Sequence, residues 1–222
     1  MKFVKVDSSG PVVAHLVRAI SEQLQAGKSV LWLVSGGSAI STAVDAAKAL
    51  VGKQLERLTI SLVDERYGPI AHPTSNWLQL EAAGFSLPGA YLRPILTGKD
   101  IGQTVHEFAV LLKQAIQDPN TYIIGLFGMG TDGHAAGLLP HSVGLTSQEL
   151  VVGYDGGDFQ RITPTPAALS QFDEAVLLVT GQEKWPAIDA LAGAVSPQDQ
   201  PAQVLKSIAK LTVYNDHRSS DE

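Results

Sequence analysis

Apolar positions along the chain fall into runs whose period switches between that of a strand and that of a helix. Tyr122 to Phe127 is β-branched and aromatic without helical spacing, the pattern of a strand covered on both faces. Val30 to Val34, Leu58 to Val63 and Ala175 to Val179 read the same way, with shorter strands at Phe3 to Val6 and Leu211 to Tyr214. Between these runs the period lengthens. Val13, Leu16, Val17, Ile20 and Leu24 predict one face of a helix from Pro11 to Gln25, closed by Gly27. Val105, Phe108, Ala109, Leu112 and Ile116 predict another over Gly102 to Gln117, stopped at Asp118-Pro119-Asn120. Further helices are expected at Ala39 to Leu50, as a short one through Leu80 after an irregular loop marked by Pro69, Pro73 and Ser75-Asn76, at Pro186 to Leu191 and at Pro201 to Ile208. Weaker signals give a loop over Gly84 to Gly98, a strand at Leu150 to Val152 and a turn at Asp155 to Asp158. The segment Arg161 to Pro166 reads as the start of a helical turn, and the polar tail from Asp216 as frayed.

Strands and helices that alternate through short connections predict an α/β fold. The expected form is a Rossmann-like, mainly parallel sheet flanked by helices with right-handed crossovers, as one domain over residues 1–222. Ligands of such sheets bind beyond the carboxyl ends of the strands. Four polar segments follow predicted strands: Ser35–Ser38, Asp64–Arg66, Gly128–His134 and Thr180–Lys184. They should share one crest.

Composition then narrows the partner. Apolar residues at 45% and charged residues at 17% are a globular balance, and 222 residues suffice for a substantial core. A net charge of −6 argues against a nucleic-acid surface, so any anion must be met by local cations. The absence of cysteine removes disulfides, thiolate nucleophiles and cysteine-ligated zinc. No signal-peptide core and no membrane-spanning run is seen, so the expectation is a cytoplasmic protein without a membrane partner, and a monomer is favoured.

Each candidate group has two readings. Ser35-Gly36-Gly37-Ser38 offers backbone donors and hydroxyls at a helix start, suited to phosphate or simply to capping. It lacks the Gly-Lys-Ser/Thr ending of a P-loop. Gly128 to Gly133 formally satisfies a dinucleotide fingerprint, but Pro140 leaves little room for the long helix that should follow. His134, in a glycine-rich crest loop, is a candidate general base or a backbone-bonded loop residue; Asp132 either orients it or caps the turn. Asp64, Glu65 and Arg66 form either a solvated charge cluster or a substrate site in which Arg66 holds an oxyanion. Arg161 and Lys184 are exposed cations or ligand contacts. His15, His72, His106, His141 and His217 show no metal-ligand spacing, and no Gly-x-Ser-x-Gly elbow is present.

Taken in order, VSGGSA, LVDERYGPIAHPTSN, LFGMGTDGHAAGLLP, RIT and VTGQEK resemble the motifs of the 6-phosphogluconolactonase family over most of Val34 to Lys184. The resemblance implies the sugar-isomerase-like α/β fold shared with glucosamine-6-phosphate deaminase and ribose-5-phosphate isomerase. It also implies hydrolysis of 6-phospho-D-glucono-1,5-lactone in the pentose phosphate pathway, with a phosphorylated sugar lactone as partner and no metal or organic cofactor. By position, His134 matches the family's catalytic histidine with Asp132 beside it, and Arg66 matches the arginine near the lactone. Gly36, Gly37 and Ser38 match the phosphate turn, flanked by Ser35 and Asp64, and Arg161 and Lys184 match phosphate-holding cations. The sequence departs from the family pattern at Tyr67-Gly68 and at Gly137-Leu138-Leu139, which bears on loop shape. The deaminase is the enzymatic rival, but it typically carries Asn-Glu-Pro where Leu138-Leu139-Pro140 stands here. A non-catalytic sugar-phosphate-binding homologue is the alternative of another class.

Overall fold

The computed structural model describes residues 1–220. Seven strands form the central sheet: β1 (Lys2–Lys5), β2 (Ser29–Val34), β3 (Leu58–Leu62), β5 (Tyr91–Leu92), β6 (Thr121–Phe127), β9 (Glu174–Val179) and β10 (Lys210–Asn215). Their spatial order is β1-β10-β9-β6-β2-β3-β5, and every neighbouring pair is parallel. The predicted parallel sheet is therefore present. β2 and β6 are buried along nearly their whole length and β9 throughout, as their uninterrupted apolar runs require when helices cover both faces.

Connections from β2 lead outward to β3, while those from β6 lead the opposite way to β9. The carboxyl ends of the adjacent β2 and β6 therefore open a crevice at the point where strand order reverses. Helices α1 (Gly10–Gln25), α2 (Ile40–Leu50) and α4 (Ile101–Gln117) pack around the sheet. The short helices are α3 (Asn76–Ala82), α5 (Pro166–Leu169) and α6 (Trp185–Ala192).

A second, three-stranded antiparallel sheet was not foreseen. It consists of β4 (Glu65–Arg66), β8 (Gln160–Pro164) and β7 (Val151–Asp155), in that order. Arg66 pairs with Arg161 and Glu65 with Ile162. Two expectations are corrected by it: Glu65–Arg66 is a strand rather than a loop, and Arg161 to Pro164 is a strand rather than the start of a helical turn, α5 beginning only at Pro166. The cause is pairing between segments nearly a hundred residues apart, which local period does not report.

Smaller corrections concern single elements. The loop expected over Gly84–Gly98 contributes the edge strand β5, and Pro201–Ser207 winds as a 3₁₀ helix. On α1 the buried face comprises Val12, His15, Leu16, Ala19 and Ile20, turned from the predicted stripe toward His15. His15 earns that place by hydrogen bonding to Glu174 at 2.7 Å and to the Tyr214 hydroxyl at 2.8 Å. The tail from Asp216 is held as far as it is described. The Asp216 carboxylate accepts from Gly181 N–H (2.9 Å) and Trp185 Nε1 (3.0 Å), and the His217 ring stacks on Trp185. Residues 221–222 of that tail lie outside the described residues.

Candidate active site

Above the β2/β6 crevice lies a cavity of about 260 Å³ lined by Ser35, Gly36, Gly37, Ser38, Asp64, Arg66, Asn76, His134, Arg161 and Lys184, with backbone from Gly128 to Gly130 and Ala135 to Gly137. The predicted convergence of the four crest segments is thus realised. Asp132 stands just outside the lining, bonded to His134.

Ser35 through Ser38 leave β2 and turn through a 3₁₀ segment, Gly37–Ala39, into α2. Neither helical start receives a side-chain cap, so the capping role allowed for Ser35 and Ser38 is not the one they fill. Ser35 to Ser38 line the cavity just before an eleven-residue helix, whose N-terminal end carries a positive partial charge. Gly36 is required by close approach, since a Cβ there would overlap the Asn76 side-chain amide. Gly36 has ordinary φ, so Gly36→Ala carries no backbone strain, only this clash. We expect it to cost about 1–3 kcal/mol in denaturant unfolding, and the double variant Gly36→Ala/Asn76→Ala to lose less than the sum of the two single variants, because the clash is absent once Asn76 is truncated.

Glu65 and Asp64 are adjacent acids with opposite fates, because successive side chains of an extended segment point to opposite faces. Glu65 is wholly buried and accepts from Arg66 N–H (2.8 Å), Ser75 Oγ (2.9 Å), Asn76 N–H (2.7 Å) and Trp77 N–H (3.1 Å). It ties β4 to the start of α3 and is no part of a solvated cluster. Asn76 in turn donates from Nδ2 to the Asp64 carbonyl at 2.9 Å. Asp64 projects toward the cavity, only 7% exposed. Burial pushes its carboxyl up to about 6, against the opposing pull of Arg66 and Arg161.

That displacement has a stability consequence. Asp64 holds its proton more firmly folded than unfolded, so its contribution is full below about pH 4 and is lost as pH rises through about 6. The difference between 3.8 and about 6 corresponds to about 3 kcal/mol. Asp64→Asn should therefore be more stable than the parent by up to about 3 kcal/mol at about pH 8 and indistinguishable at about pH 4; urea unfolding at the two pH values measures it.

The cations come from three elements. Arg66 on β4 donates to the Thr74 carbonyl at 3.0 Å, and Arg161 on β8 donates twice to the Asp158 carboxylate, at 2.9 and 2.7 Å. The Phe159 ring lies 5.5 Å from the Arg66 guanidinium carbon and 5.8 Å from that of Arg161, spacing the two like charges. Lys184, half-buried at the end of a 3₁₀ turn after β9, is in no ion pair among the described residues.

His134 closes the loop after β6. Its Nδ1 lies 2.6 Å from Asp132 Oδ1, which also accepts the His134 backbone N–H at 3.1 Å. Burial raises the Asp132 carboxyl, but its bonds to His134 outweigh this and hold it below the usual range. In the neutral tautomer that gives Nδ1–H to the Asp132 carboxylate, the lone pair lies on Nε2. Asp132 thus meets both of its readings, accepting from the backbone of the turn and contacting the ring of His134.

Four buried polar atoms of this lining have no hydrogen-bond partner among the described residues: Ser35 Oγ, Arg66 Nε, Asn76 Oδ1 and Arg161 Nε. Buried polar atoms are nearly always satisfied, so their concentration in one cavity marks a place shaped for a polar ligand. A larger groove of about 570 Å³ between α4 and the β3–β5 edge, lined in part by Arg93, His106 and Phe108, contains none of them. No group of three or more His, Asp or Glu side chains is disposed to hold a metal ion among the described residues.

Asn76 is the lining residue that the sequence reading left out of the site. Its one signal was its place in the irregular segment after Asp64–Arg66, where two prolines precede Ser75-Asn76.

Residues 7–214 match the model of a family described as glucosamine-6-phosphate isomerases/6-phosphogluconolactonase. A 6-phosphogluconolactonase of Synechocystis is 27% identical over 222 residues, covering 95% of this chain and 90% of the relative. One of Pseudomonas aeruginosa is 30% identical, covering 91% and 86% respectively. Among solved structures, a monomeric glucosamine-6-phosphate deaminase superposes with a TM-score of 0.78 at 18% identity over 97% of each chain, a likeness of fold.

Proposed function

Because the chain belongs to the family of glucosamine-6-phosphate isomerases and 6-phosphogluconolactonases, we propose that it is a lactone hydrolase of sugar-phosphate metabolism, opening 6-phospho-D-glucono-1,5-lactone to 6-phospho-D-gluconate. The observation that carries the reading is the set of orphaned donors and acceptors around one cavity that also holds His134 and three cations. The phosphate takes the Gly36–Ser38 turn, Arg161 and Lys184, whose combined charge and N–H groups suit a dianion. The lactone carbonyl then lies toward His134 and Arg66. His134 Nε2 removes a proton from water as that water attacks the carbonyl carbon, and Arg66 stabilises the oxyanion. Holding the phosphate fixes the ring's approach and lowers the entropic cost of reaction.

The deaminase alternative is disfavoured by the segment after His134. Leu138 is fully buried, and the Tyr154 hydroxyl fixes the turn by donating to the Gly137 carbonyl at 2.6 Å and accepting from Leu139 N–H at 3.1 Å. No carboxylate stands in that turn to move protons for ring opening of an amino sugar.

The reading takes residues 1–222 as one domain and a monomer as the working unit. It places the enzyme in the cytoplasm with the pentose phosphate pathway; no helix among the described residues is long and apolar enough to cross a membrane.

The test uses freshly generated 6-phosphogluconolactone, coupled to 6-phosphogluconate dehydrogenase and corrected for spontaneous hydrolysis, with glucosamine 6-phosphate and ammonia release run in parallel. Accelerated lactone hydrolysis, unchanged by a chelator, is expected. Ammonia release without lactone hydrolysis would transfer the protein to the deaminase class, and neither activity would leave a binding protein.

A further inference from the structure

We infer that Asp64 is the general acid of ring opening, giving its proton to the ring oxygen as the bond between that oxygen and the carbonyl carbon breaks. The inference rests on the lactone-hydrolase reading and changes one part of the expected site, where Asp64 had been grouped with phosphate contacts.

Two neighbouring acids make the contrast. Glu65 accepts four hydrogen bonds and serves the architecture. The Asp64 carboxyl makes no hydrogen bond to any described residue, although it is 7% exposed and lines the same cavity as His134. The turn at Gly137 closes over it, since a Cβ there would stand 2.8 Å from Asp64 Oδ2. Gly137 has φ of +71°, so the turn itself also favours glycine. A buried carboxyl with no partner is expensive unless protonated or used. A carboxylate beside a phosphate dianion would be repelled, so Asp64 faces the uncharged part of the substrate, its ring. The groups that face Asp64 are Arg66 and Glu65 from its own segment, Arg161 from β8, His134 from the loop after β6, and the Tyr154 hydroxyl from β7.

The step balances. Water yields one proton to His134 Nε2, and its oxygen bonds to the carbonyl carbon, whose π electrons move to the oxygen facing Arg66. When the carbonyl re-forms, the electron pair of the bond to the ring oxygen leaves with that oxygen, which takes the Asp64 proton and becomes a free hydroxyl. The new carboxylic acid releases its proton to solvent. One proton passed through water from the imidazolium to Asp64 restores both groups. Two titratable groups in one site, His134 turned by Asp132 and Asp64 with its carboxyl pushed up to about 6 by burial, divide the work.

A leaving group that departs without a proton makes the acid dispensable. A thiol ionises near about 8.5, far below an alcohol, so the 5-thio analogue, made by dehydrogenase oxidation of 5-thioglucose 6-phosphate, is the probe. Asp64→Asn is expected to lower kcat about a hundredfold on the oxygen lactone and less than about threefold on the thiolactone, with KM little changed on either. Equal loss on both substrates would make Asp64 a positioning group and overturn the assignment, as would no loss on either. A parent protein inactive on the oxygen lactone would overturn the hydrolase reading itself, and is seen in the same assay before any variant is compared.

Discussion

His134→Asn is expected to lower kcat by about 10²–10⁴-fold, equivalent to about 3–5 kcal/mol of transition-state stabilisation, while KM stays within a few-fold. The geometry gives the asymmetry. His134 Nδ1 is committed to Asp132 at 2.6 Å, so the only basic atom of the ring is Nε2. Asparagine can keep a donor toward Asp132 and offers no base in place of Nε2. The phosphate-facing groups, Gly36 to Ser38, Arg161 and Lys184, make no hydrogen bond to the imidazole and should bind as before. Steady-state kinetics with titration of the product 6-phosphogluconate separate the two effects. Turnover within about threefold of the parent would remove His134 from the mechanism.

Arg161→Met should act on the other half of the substrate, lowering kcat/KM by about 10–100-fold, mostly through KM, and weakening inhibition by inorganic phosphate in proportion. Arg161 is only 6% exposed, its Nε has no partner among the described residues, and its ion-pair partner Asp158 is half exposed. Removing the guanidinium therefore leaves Asp158 to water, and a fold preserved by circular dichroism is expected. Arg161→Lys keeps the charge but loses the planar fork, so it should fall between the two. A loss confined to kcat with phosphate inhibition intact would mean that Arg161 meets the lactone rather than the phosphate, and would exchange its role with that of Arg66. Because Arg161 also pulls the Asp64 carboxyl down, Arg161→Met should raise the pH at which Asp64 ionises.

The sequence by itself determined the parallel sheet and the crest. Runs such as Val30–Val34 and Tyr122–Phe127 announce strands buried on both faces, since period and residue type are local quantities, and short connections impose parallel order. The chemical types at the crest were equally legible, and the order of motifs through Ser35–Ser38, Asp64–Arg66, Gly128–His134, Arg161 and Lys184 pointed to the family. Tertiary structure decided how those types are used. Pairing of Arg66 with Arg161 across β4 and β8 brings two cations from distant segments against one Phe159 ring, and no local pattern carries that register. The division of labour between Asp64 and Glu65 was likewise invisible, because a carboxyl group's ionisation and partners depend on what burial places around it: the start of α3 for Glu65, the cavity wall for Asp64. Asn76 entered the site for the same reason, carried there by Glu65 at the head of α3.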